Sequence, residues 1–154
     1  MEERNETWYC LPFDALTPHQ LYAILQLRNE VFVVEQNCVF QDADDKDQGC
    51  HHLMQWDGDR LVAYTRLVPP GHIYEEASIG RVVTSPAVRG RGAGRQLMEA
   101  SIREAYALFG RRPIRIGAQL YLKRFYESFG FEQVSEPYLE DGIPHIYMLK
   151  KNYS

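Results

Sequence analysis

Apolar residues in this chain fall mostly into short alternating blocks, and three times the alternation gives way to a helical period. "WYCLPF" (8–13) has strand character. Thr17, Pro18 and Gln20 then form a helix-start signal: an N-cap, a proline at the first helical position and a capping-box partner. Leu21, Ile24, Leu25, Val31 and Phe32 follow at helical spacing, with Arg28 in the middle of that apolar face. A charge there needs a partner. "HHLMQW" (51–56) and "RLVAYTRLV" (60–68) flank Asp57-Gly58, which predicts a hairpin. Residues 41–49 and 69–77 read as loops, and "SIGRVVTS" (78–85) as a strand. Leu97, Met98, Ile102, Ala105 and Phe109 predict a helix over 94–109, ended by Gly110. "PIRIGA" (113–118) is a short strand, and Leu122, Phe125, Tyr126 and Phe129 mark a third helix, ended by Gly130. Strands at 131–136 and 145–150 close the pattern. The order predicts a mixed sheet with helices on its faces, an α+β fold.

The chain has 154 residues, 45% of them hydrophobic and 25% charged, which suits one domain with one core over 1–154. No apolar run is long enough for a membrane span. The first ten residues are acidic and polar, unlike a signal peptide. The three cysteines, Cys10, Cys38 and Cys50, follow no motif spacing and read as reduced thiols, so the expected location is cytoplasmic.

The net charge of −4 is unevenly spread. Residues 81–124 hold ten Lys/Arg against two acids, +8, while the remainder holds seven against nineteen, −12. One lobe then suits an anion and the other a cation.

Inside the basic segment lies "RGRGAG" (89–94), between a strand and a helix. Gly92 and Gly94 permit backbone torsions and close approaches denied to other residues. Free N–H groups at the helix start, with the positive dipole end behind them, suit a pyrophosphate. Arg89, Arg91 and Arg95 add charge. The Gly-Lys-Ser/Thr of a P-loop is absent, and G-x-G-x-G is not the dinucleotide spacing.

The pattern R-x-x-G-x-G after a strand ending in Ser-Pro resembles the acetyl-CoA-binding segment of the Gcn5-related N-acetyltransferase (GNAT) family. "FYESFGF" (125–131) is similar to that family's second signature, and the element order is the family's order. "RNEVFVVEQ" (28–36), "GRVVTSPAVRGRGAG" (80–94) and "EDGIPHIYM" (140–148) resemble the ElaA-type branch. The resemblance spans about 8–150 and implies a largely antiparallel twisted sheet of about six to seven strands flanked by helices. It also implies acetyl-CoA as acyl donor, no metal, and transfer to a primary amine within a ternary complex.

Residue by residue, the resemblance implies that the backbones of Val82, Val83 and Thr84 pair with the pantetheine arm. The amides of Arg89, Gly90, Arg91, Gly92, Ala93 and Gly94, with Arg95 beside them, would hold the pyrophosphate. Tyr126 would sit near the thioester sulfur, although its apolar spacing alone reads as core. The central strand "SIGRVV" lacks the carboxylate that many members use as base. Candidates are Glu35, Glu75, Glu76, Asp47, His51, His52 and His145. Glu35 is preferred because it follows the first helix; a pairing with Arg28 is the competing role. Arg28, Asp47 and His145 are further substrate-side candidates. The acidic lobe, through Asp44, Asp45 and Asp47, is expected to favour a cationic acceptor.

The adjacent His51 and His52 point to opposite faces of a strand, and no second metal-binding pair has finger spacing. Residues 42–53 fail the calcium-loop pattern at positions 46, 47 and 53. Nucleic-acid binding is disfavoured by the overall acidity. A non-catalytic acyl-CoA sensor and an enzyme similar to acyl-homoserine-lactone synthases stay open as alternatives. The sequence is silent on oligomeric state.

Overall fold

The computed structural model describes residues 6–151; the first five residues of the acidic N-terminus lie outside them. Among the described residues one sheet of eight strands runs through the molecule. The strands are β1 (Glu6–Pro12), β2 (His51–Asp57), β3 (Arg60–Val68), β4 (Ala77–Thr84), β5 (Ile114–Gln119), β6 (Phe131–Gln133), β7 (Tyr138–Glu140) and β8 (Ile143–Lys150). The spatial order is β1-β2-β3-β4-β5-β8-β6, with β7 also paired to β8. Every pairing is antiparallel except β4 with β5.

Among the described residues three α-helices cover the faces: α1 (Pro18–Arg28), α2 (Ala93–Phe109) and α3 (Lys123–Glu127). The capping box forms as its residues predict, with the Thr17 hydroxyl accepting from the Gln20 amide and the Gln20 side chain accepting from the Thr17 amide. Beyond Arg28 the chain does not stop. It widens into a π-helical segment, Asn29–Glu35. Leu97, Met98, Ala105 and Tyr126 pack against Ile79, Ile114, Ile116, Ile146 and Met148 in the larger core. Ile24, Leu27 and Val31 pack against Met54, Tyr64 and Val83 on the opposite face. β3 is buried from Leu61 to Val68, as a strand covered on both faces must be.

One strand is additional to the sequence reading. β7 has three residues and pairs with β8 through a turn at Asp141-Gly142, whose φ values of 51° and 79° fit a type I′ hairpin. Its side chains are too few to establish an alternation.

Candidate active site

β4 and β5 pair only at Ala77↔Ile114 and Ser78↔Arg115. Both strands continue, β4 to Thr84 and β5 to Gln119, with a cleft of about 510 Å³ between them. Its walls include residues 79–84 from β4 and 117–119 from β5. Beyond Ser78, the edge of β4 turned towards β5 has no strand partner. Val82, Val83 and Thr84 therefore offer backbone groups that an extended amide-bearing chain can satisfy.

A bulge shapes this edge. Tyr64↔Val83 and Arg66↔Gly80 leave two residues of β4, Arg81 and Val82, opposite Thr65. Arg81 takes up the bend with φ of 50°, a left-handed conformation uncommon for a non-glycine residue. Its side chain is anchored: Nη2 donates to the Asp42 carbonyl at 2.9 Å, and Nε lies 2.9 Å from Asp42 Oδ1, a charge contact too oblique for a hydrogen bond.

That anchor belongs to a larger ion network. Arg28 Nε donates to Asp42 Oδ2 at 2.7 Å, and its Nη1 to Asp47 Oδ1 at 2.8 Å. Arg66 Nη1 bridges Asp44 Oδ1 at 2.7 Å and Asp47 Oδ1 at 3.0 Å. Burial pushes the Asp44 carboxyl up, but hydrogen bonds and charge from Arg66, with Arg81 beyond, hold it down at about 2. Asp47 is likewise lowered: Arg28 and Arg66 outweigh its burial. Buried His52 donates from Nε2 to the Asp47 carbonyl at 3.0 Å, and in the neutral ring its Nδ1 accepts from the Tyr64 hydroxyl at 2.7 Å.

The network corrects two expectations. Arg28, 0% exposed, and Asp47 are buried ion partners and are not among the residues lining the cleft. The 42–47 loop is therefore not a free acidic lobe, since Asp42, Asp44 and Asp47 each face two arginines. The partner demanded by Arg28 is this loop and not Glu35.

Where β4 ends, the turn at 89–92 leads into α2. Gly90 and Gly92 have φ of 80° and 72°, and a side chain on either would meet open space. Gly92 is the N-cap of α2, with no side-chain cap and no acid in the first turn. The leading amides of α2, from Ala93, Gly94 and Arg95, are left to face an anion. At Gly94 a Cβ would stand 3.8 Å from the Phe125 ring, an ordinary contact, so this glycine is not required by space. These features fit the diphosphate of acetyl-CoA. Arg91 is exposed, while Arg95 lies over the Phe129 ring at 4.6 Å and donates to Ser128 at 3.0 Å. Arg89 Nη1 contacts Glu35 Oε1 at 2.5 Å across the cleft mouth.

Tyr126 lines the cleft while its ring packs in the larger core, edge-on to Phe125 and Phe131. Core and cleft are thus one location for this residue. Burial, with Tyr121 adding to it, pushes the phenol up to about 12.

The cleft is also lined by Gln119, Glu140, Asp141 and His145, while Glu35 lines it beside Arg89. The remaining candidate bases are elsewhere: Glu76 is paired with Arg115 at 3.0 Å, and His51 stacks edge-on to Phe109. Glu140 and Asp141 were missed by the sequence reading because only the β7–β8 hairpin brings them to the cleft.

The acetyltransferase (GNAT) domain model matches residues 17–152. The chain belongs to the GNAT acetyltransferase family. A crystal structure of an acyl-CoA N-acyltransferase from Pseudomonas aeruginosa is 46% identical, with a TM-score of 0.92 over 95% of this chain and 99% of that one. Protein ElaA of Escherichia coli is 45% identical over 146 residues, 94% of this chain and 95% of ElaA. The ElaA crystal structure superposes with a TM-score of 0.89 over 95% of this chain and 99% of that one, at 44% identity. The GNAT chain described here is therefore an acetyl-CoA-dependent acetyltransferase closely related to ElaA, with the mixed, largely antiparallel sheet of that family. No helix among the described residues is long and apolar enough to cross a membrane.

Proposed function

We propose that this enzyme transfers the acetyl group to a primary amine that carries positive charge, by direct attack with both substrates bound. The observation that carries the reading is the cleft itself, which is lined by Arg89 at the start of the glycine turn and by Glu140, Asp141 and Tyr126. The acids that attract the amine are Glu140 and Asp141, because Glu35 is paired with Arg89 and Asp42, Asp44 and Asp47 with arginines.

The β4 edge at Val82–Thr84 pairs with the pantetheine amides, and the 89–94 turn with the start of α2 holds the diphosphate. Arg89, Arg91 and Arg95 supply charge around it. An ammonium has no lone pair, so the acceptor loses a proton before its nitrogen attacks the thioester carbon. A β4 amide near Val82 or Val83 donates to the oxyanion, and the carbon–sulfur bond breaks with its electron pair leaving on sulfur. The products are an amide, coenzyme A thiol and one proton.

Tyr126 donates a hydrogen bond to the departing sulfur. A free alkyl thiol titrates near 8.5, so full transfer from a phenol at about 12 is uphill by roughly 3.5 units, or about 5 kcal/mol. Hydrogen bonding, not complete protonation, is the role that those magnitudes allow.

The test is thiol release from acetyl-CoA across a panel of amines matched in size and differing in charge. Faster turnover of acceptors with a second positive group is expected. Equal turnover of neutral and cationic amines removes the charge argument, and no thiol release with any amine removes the reading.

A further inference from the structure

We propose that His145 is the base that takes the proton from the acceptor amine, and that Glu140 stabilises the charge this creates. This rests on the acetyltransferase reading above and supplies the proton acceptor that the cleft-lining part of β4, residues 79–84, does not contain.

His145 lines the cleft and is 8% exposed. Its Nδ1 lies 2.7 Å from the carbonyl oxygen of Ile143. A carbonyl only accepts, so Nδ1 carries the hydrogen, and in the neutral ring the lone pair is on Nε2. Nε2 in turn lies 3.4 Å from Glu140 Oε2. The contact is a charge contact and not an aligned hydrogen bond, which leaves the lone pair open to the amine; a proton on Nε2 turns the contact into an ion pair.

The β7–β8 hairpin holds the imidazole in place. Tyr138 is the register partner of His145, and its ring stacks on the imidazole at 5.8 Å and 27°. The type I′ turn at Asp141-Gly142 places the backbone of Glu140 near that of His145. Plane and tautomer are therefore set before substrate arrives.

The step balances simply. One N–H bond of the ammonium breaks and its electron pair stays on nitrogen, while the proton forms a new bond to Nε2. The imidazolium pairs with Glu140, whose side chain is 61% exposed and passes the proton to solvent. Other ionisable groups near the ring are Tyr138 and Glu140 on β7 and Asp141 in the turn. Across the cleft stand Tyr121 and Tyr126, and the Glu35 and Arg81 carboxylate and guanidinium are each engaged in an ion pair, Glu35 with Arg89.

The experiment is the pH dependence of kcat/KM for the most active cationic amine, with calorimetric CoA affinity measured alongside. The wild-type profile is expected to show an acid limb, since the base must be unprotonated to act. Glu140→Gln, at an exposed site, should move that limb to lower pH. His145→Gln should abolish the limb and lower kcat at pH 7 at least tenfold, with activity recovering at alkaline pH where the amine is already neutral. CoA affinity should stay within twofold in both variants. An unmoved limb in Glu140→Gln, or an intact limb in folded His145→Gln, overturns the proposal; Glu140→Gln decides it alone if His145→Gln does not fold. Absence of turnover in the wild type with every amine, despite CoA binding, instead overturns the acetyltransferase reading on which this one stands.

Discussion

Glu35 and Arg89 join the two sides of the cleft mouth through a 2.5 Å ion pair, with each side chain about two-fifths exposed. Glu35 ends the π-helical segment after α1, and Arg89 follows the 3-10 turn Pro86–Val88 after β4. An exposed pair of this kind contributes about 0.2–1 kcal/mol, small enough for a phosphate to exchange for the carboxylate. Glu35→Gln is therefore expected to tighten CoA binding, by up to about fivefold, because Arg89 is released to the phosphates. Arg89→Ala should weaken it. Calorimetry on both variants checks the pair, and weaker binding in Glu35→Gln refutes the exchange.

Tyr126→Phe retains the edge-on ring packing against Phe125 and Phe131 and removes only the hydroxyl. Loss of one aligned donor to a developing charge is expected to lower kcat by about tenfold to a hundredfold, with CoA affinity within twofold. Single-turnover thiol release separates this from slow product release. An unchanged rate of the chemical step rules out the leaving-group role.

Gly92→Ala tests the turn. At φ of 72° an alanine meets no neighbour, so the cost is conformational only. A left-handed alanine costs about 1–2 kcal/mol, and the chain relieves it by rotating the leading amides of α2 away from the anion site. CoA affinity should fall about threefold to thirtyfold, with helix content by circular dichroism unchanged. Full affinity in the variant separates the amides from phosphate binding.

The ion network predicts a pH dependence of stability. Asp44 at about 2, and Asp47 also lowered, lie below the unfolded value near 3.9. Their contribution is present in full above about pH 4 and is lost as pH falls towards 2. Urea midpoints should drop steeply over that interval, and less steeply in Asp44→Asn. Arg28→Met leaves Asp42 and Asp47 with one arginine fewer in a buried setting, which costs about 3–5 kcal/mol, or roughly 10 °C in Tm for a chain of this size. A shift under 2 °C removes the network from the stability account.

Much of this was legible from residue patterns. The Thr17–Gln20 cap, the Asp57-Gly58 hairpin and the Gly110 and Gly130 stops are local chemistry, and each forms at or next to its expected position. Arg28 on an apolar face announced a buried partner, yet its identity was not readable. Asp42 and Asp47 are fourteen and nineteen residues away, and only the loop's return across α1 and β3 brings them there. Arg81 carried no signal at all, because a left-handed residue in a strand is imposed by register against β3 and by the anchor on Asp42.

The sequence by itself determined the elements, the helix-start turn that suits a diphosphate and the family to which the chain belongs, since these depend on spacings of a few residues. Tertiary structure alone decided which charges are used up and which remain to meet a substrate. It tied Asp42, Asp44 and Asp47 to arginines and brought Glu140 beside His145 at the cleft. Charge is a sum over neighbours in space, and neighbours in space are set by how β4 parts from β5 and how β7 folds back on β8.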